Sequence, residues 1–108
     1  MAAEVAAQLP NERIIYFADN AHVPYGERPL DEIREFAGQI TRFLVERGAK
    51  AVVMACNMSS AVALGPTREN HPGIAILGVI DPGAKAAVDM SRGAPIGVLA
   101  TTGTVKSN

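Results

Sequence analysis

From Leu30 onward the apolar residues Ile33, Phe36, Ala37, Ile40, Phe43 and Leu44 recur at intervals of three and four, which gathers them on one face of a helix. Asp31 and Glu32 fall in its first turn and Arg47 in its last, matching the helix dipole, and Gly48 supplies the stop. Four shorter apolar runs read as buried strands: RIIYF at 13–17, AVVMA at 51–55, IAILGVI at 74–80 and IGVLA at 96–100. Between them the pattern predicts further short helices. One covers 2–9 and is closed by Pro10, one starts near Met58 and is ended by Gly65-Pro66, and one runs from Gly83 to Met90.

The resulting order, αβαβαβαβ, predicts an α/β fold with a parallel sheet covered on both faces by helices. Ligands in such sheets collect at the C-terminal ends of the strands. Four places therefore stand out: Asp19 to Gly26, Cys56 to Ser60, Asp81-Pro82-Gly83, and Thr101 to Thr104.

Composition narrows the functional classes. The 108 residues suffice for one domain, and the 48% apolar content with no Trp fits an aliphatic core. Ten basic residues against eleven acidic ones, scattered along the chain, argue against nucleic acid as a partner. No apolar run approaches the ~20 residues that span a bilayer, and the N-terminus lacks the basic start of a signal peptide, so a cytoplasmic location without membrane contact is expected. His22 and His71 have no Cys or carboxylate at metal-ligand spacing, so no metal site is expected. Lys85 and Arg92 read as solvated charges, and Asp19 as a turn or cap residue, with tuning of a nearby base as its alternative. No Gly-rich phosphate loop follows an early strand, which disfavours a flavodoxin-like cofactor binder.

Cys56 is the single cysteine. After an apolar strand, a lone cysteine is ordinarily a small core residue. At the start of a helix it also meets free N–H groups and the positive dipole end, which favour a reactive thiolate. The flanking Asn57, Ser59 and Ser60 add polar groups, although capping alone explains all three. Residue types alone leave both readings open.

Four pieces together decide more than any one of them: IIYFADNAHVPYGERP at 14–29, VVMACNMSSAVAL at 52–64, GVIDPGAKAAV at 78–88 and IGVLATTGTVKS at 96–107. Each lies at an expected strand and its outgoing loop, and in this order they resemble the cofactor-independent glutamate racemases of the aspartate/glutamate racemase superfamily. The resemblance implies interconversion of L- and D-glutamate for peptidoglycan by two cysteines on opposite faces of the substrate's Cα, with no cofactor and no metal. Cys56 matches the first of these catalytic cysteines. Tyr25, Gly26, Asn57, Met58, Thr101 and Thr104 match positions that bind the substrate, glutamate. Met58 stands where the commonest family form has Thr, which leaves aspartate or a related substrate open.

The same resemblance implies that the sequence is incomplete at both ends: an opening strand ending in Asp-Ser-Gly and a later Cys-Thr-His segment with the second thiol are expected elsewhere. On this reading residues 1–108 form a partial α/β domain of flavodoxin-like topology, with about 1–80 in a first domain and about 81–108 starting a second. The full-length enzyme is expected to admit a homodimer, and the isolated chain to be inactive. The alternative is a non-catalytic α/β binding or interaction module that keeps a strand-end anion pocket.

Overall fold

The computed structural model describes residues 1–106; Ser107 and Asn108, the end of the expected TTGTVKSN segment, lie outside the described residues. Five helices and two strands are present among them: α1 (Ala2–Gln8), α2 (Leu30–Glu46), β1 (Ala51–Met54), α3 (Asn57–Asn70), β2 (Ala75–Gly78), α4 (Ile80–Ser91) and α5 (Thr102–Lys106). A 3-10 turn occupies Tyr25–Glu27. No helix among the described residues is long and apolar enough to cross a membrane.

The α2 helix forms as its periodicity predicts, with Ile33, Ala37 and Thr41 buried along one stripe. Its end is a Schellman motif: the Ala49 N–H donates to Leu44 C=O (3.1 Å) and the Gly48 N–H to Val45 C=O (2.9 Å). Gly48 sits at φ 83°, the left-handed region that glycine enters without a Cβ penalty.

Strands β1 and β2 pair in parallel, Val52 opposite Ile76 and Met54 opposite Gly78. Their inward residues Met54 and Ile76 join Ile33 and Ala37 of α2 and Met58, Val62 and Ala63 of α3 in one core cluster. The sheet is therefore α/β and parallel as expected, but only one of its faces is covered. Val53 and Leu77, on the other face, are exposed.

Several elements differ from the sequence reading. The runs 13–17 and 96–100 are not strands, because no backbone hydrogen bond among the described residues ties either to a neighbouring strand, and a strand exists only as one of a pair. Residues 13–17 instead lean on α2, with Phe17 edge-on to Phe43 at a centroid distance of 5.3 Å. Helix α4 starts at Ile80, which draws Asp81-Pro82-Gly83 into its first turn, where a proline needs no N–H partner.

Helix α3 also runs through Gly65-Pro66 to Asn70. Pro66 has no N–H to donate to the carbonyl four residues back, that of Val62. The Arg34 Nε–H of α2 donates to that carbonyl instead, at 3.0 Å. A donor 28 positions away in sequence thus lets the helix pass a residue that ordinarily ends one.

Candidate active site

Strand parity would bury position 56 with Val52 and Met54. The strand stops at Met54, however, and Cys56 becomes the N-cap of α3 in an extended conformation, φ −103° and ψ 127°. Its carbonyl accepts the first helical hydrogen bond, from the Ser60 N–H at 2.9 Å, while its thiol is free and exposed. The N–H groups of Asn57, Met58 and Ser59 in this first turn lie ahead of the helical ladder and suit an anionic ligand.

Ser60 fixes this corner. Its hydroxyl donates to the Met54 carbonyl at 2.9 Å and accepts the Val79 N–H at 3.2 Å, joining the ends of both strands to α3. Gly78 lies under it so closely that a Cβ there would stand 3.2 Å from Ser60 Cβ and 2.9 Å from Leu64 Cδ2.

Two more of the expected segments converge here. Gly26 packs against Thr101, the Cβ of which lies 3.5 Å from where a Gly26 Cβ would be. Gly103 sits over Met58: a Cβ added to it would fall 1.9 Å from Met58 Cε and 3.2 Å from the Gly26 carbonyl oxygen. Met58 is 3% exposed, so its side chain belongs to the core and only its backbone remains for a ligand. Thr101 caps α5, its hydroxyl 3.1 Å from that of Thr104 and 3.5 Å from the Thr104 N–H. Tyr25, Gly26, Met58, Thr101 and Thr104 are thus assembled from three separate segments, beside Cys56 and Asn57.

Asp19 is not the turn residue its position suggested. Its carboxylate accepts the Tyr25 O–H at 2.5 Å and the His22 Nδ1–H at 2.7 Å. Burial acts to raise its pKa, but the hydrogen bonds from Tyr25 and His22 and the charges of His22 and Arg28 outweigh it and hold the carboxyl below its ordinary value. Tyr25 is pushed well above the usual phenol range, first by burial, then by the hydrogen bond to Asp19 and the negative charges of Asp19 and Cys56.

His22 lies in a loop, and its ring stacks on Phe36 at 3.9 Å. The sequence held one local hint of this cluster, Asp-x-x-His-x-x-Tyr inside a loop rich in Pro and Gly. Gly103 gave no hint, because its close approach to Met58 is made across the fold.

Known proteins match this arrangement along its whole length. The family model for Asp/Glu/Hydantoin racemase matches residues 1–108. The chain is 49% identical over 104 residues to the glutamate racemase of Pseudomonas paraeruginosa, covering 96% of this chain and 39% of that protein. It is 47% identical over 108 residues to that of Exiguobacterium sibiricum, covering 100% and 40%. The solved glutamate racemase of Aquifex pyrophilus superposes with a TM-score of 0.92 at 37% identity, over 98% of this chain and 42% of that one. The glutamate racemase of Francisella tularensis, solved in complex with D-glutamate, superposes at 0.86 with 36% identity, over 98% and 39%. The chain spans about two fifths of the length of these relatives. It belongs to the Asp/Glu/Hydantoin racemase family.

Proposed function

We propose that this chain provides the first half of a glutamate racemase active site, with Cys56 as one of two thiols that exchange the α-proton of glutamate. The thiolate of Cys56 removes the proton from one face of Cα, and a second thiol returns a proton to the other face, so no net proton or electron is consumed. Negative charge spreading onto the α-carboxylate in between is met by N–H groups of Asn57 and Met58 and by the Thr101 and Thr104 hydroxyls. Tyr25-Gly26 closes the same pocket, and the Asn57 amide binds a carboxylate.

One observation carries this reading: three separated segments converge beside an exposed cysteine at a helix N-terminus, in a chain 49% identical to a named glutamate racemase. The ligand class follows the Francisella relative, which was solved with D-glutamate. On this reading the enzyme works in the cytoplasm, supplies D-glutamate for peptidoglycan and needs no cofactor. The division into a first domain ending near residue 80 and the homodimer belong to the same proposal.

This sequence carries one cysteine, so by itself it lacks the second acid/base. Polarimetry should record no loss of optical rotation from L-glutamate with this chain. Iodoacetamide should alkylate Cys56 more slowly when glutamate is added. Lack of protection by either glutamate isomer would sink the assignment, and racemisation abolished by Cys56→Ser would sink the two-thiol requirement.

A further inference from the structure

The loop from Asp19 to Arg28 reaches the site without regular structure except its 3-10 turn, and something other than a backbone ladder must hold it. Side chains do so. Asp19 Oδ2 accepts the Tyr25 O–H at 2.5 Å, while Oδ1 and Oδ2 face His22 Nδ1 at 2.7 and 2.9 Å. The His22 ring lies on Phe36 of α2, and the Arg28 Nε–H donates to the His22 carbonyl at 2.5 Å. Arg28 is itself tied to Glu32 of α2 at 3.0 Å. The loop is a closed ring of side-chain bonds with its base on α2.

The ring's working end is Tyr25-Gly26, against Thr101 and Gly103. The Asp19 carboxylate is only 13% exposed, so its acceptors depend on Tyr25 and His22 in place of water. A carboxylate meets these donors with two charged acceptor oxygens and no donor of its own. An amide in its place loses the charge and one of the two acceptors.

Resting on the racemase reading, we propose that Asp19 is a positioning residue for the substrate pocket: by holding Tyr25 and His22 together it sets the Tyr25-Gly26 backbone against Thr101 and beside Cys56. It touches no reacting atom, and acts through Tyr25. The His22 Nδ1–H donates whether the imidazole is neutral or charged, so the clamp does not require a charged histidine.

The experiment uses this chain with Tyr16→Phe, which leaves Tyr25 as the one remaining tyrosine. Phenol ionisation is followed by ultraviolet absorbance, and glutamate binding by protection of Cys56 from iodoacetamide. With Asp19 present the phenol should ionise above its ordinary value near ~10, and in Asp19→Asn it should return toward that value. The glutamate concentration giving half-protection should rise at least ~5-fold in Asp19→Asn, in line with loss of a charge-assisted hydrogen bond. Tyr25→Phe should weaken protection similarly, and the double substitution should add little to either.

If Asp19→Asn fails to give a folded circular-dichroism spectrum, Tyr25→Phe carries the test from the other side of the same bond. An unmoved phenol titration in Asp19→Asn, or unchanged half-protection in Tyr25→Phe, overturns the positioning role. A parent chain that glutamate does not protect overturns the racemase reading, and the positioning role with it. The two failures are distinct, because the second occurs with Asp19 in place.

Discussion

Four apolar runs of similar length behave in two ways. AVVM and AILG pair as β1 and β2, whereas RIIYF at 13–17 and IGVLA at 96–100 form no ladder among the described residues. The difference is not local propensity, since RIIYF is the most β-branched and aromatic of the four. What separates them is one buried face: Val52 and Ile76 are 6% and 3% exposed, while every residue of 13–17 and 96–100 is exposed. A paired strand satisfies its backbone and offers one face to α2 and α3. An unpaired run keeps its apolar side chains at the surface whatever its pattern, which shows that pairing, more than composition, makes the strand.

The largest effect should come from breaking the paired side. Ile33 of α2 is fully buried in the core cluster with Met54, Met58, Val62 and Ile76, and Ile33→Ala should cost about 2–5 kcal/mol through lost burial and the cavity left behind. Leu99→Ala, on the unpaired side, should stay within about 0.5 kcal/mol. Urea midpoints of the two variants test the contrast, and similar losses would mean that 96–100 is packed in solution.

Next in size is the contact that brings the second unpaired run back to the core. Beyond residue 100 the chain meets α3 through Gly103 and Met58, with no space for a Cβ. Gly103→Ala should cost about 1–3 kcal/mol by overpacking, softened if the Met58 methyl swings aside. It should also weaken glutamate protection of Cys56, because it pushes on the Gly26 carbonyl. A variant as stable as the parent and equally protected would show that Thr101 to Thr104 is positioned independently of Met58.

The same contrast explains how far the sequence could be read. Helix α2 was legible from its periodicity, and its end from Gly48, because every determinant lies within a few residues. Cys56 was legible as a site through its neighbours, but its exposure depends on β1 ending two residues before it, at Met54, which strand parity alone would have missed. Pro66 misled because its compensation comes from Arg34 on another helix. The Asp19, His22 and Tyr25 cluster was hidden for a related reason: bonds between side chains in an irregular loop leave no period to detect.

A smaller coupling tests that compensation. With Pro66 in place, Arg34→Ala leaves the buried Val62 carbonyl without its donor and should cost about 1–2 kcal/mol. In a Pro66→Ala background the helix supplies its own N–H, and the same substitution should cost about 1 kcal/mol less. Additive effects in urea unfolding would mean that Arg34 stabilises α3 only through packing.

The smallest effect concerns what holds the first unpaired run, which ends at the Asp19 clamp. The carboxyl of Asp19 is depressed in the folded chain, so its contribution is complete above the unfolded value of ~3.9 and is lost as pH falls through the lower folded value. Tyr25 is shifted the other way. Its contribution is complete below the unfolded value of ~10 and is lost as pH rises through the higher folded value. The stability difference between the parent and Tyr25→Phe should therefore be flat between roughly pH 4 and 10 and shrink beyond either limit. Thermal melts across pH 2–12 measure it. A difference that instead changed between those limits would mean that the Asp19–Tyr25 bond is not what anchors the end of the 13–17 run.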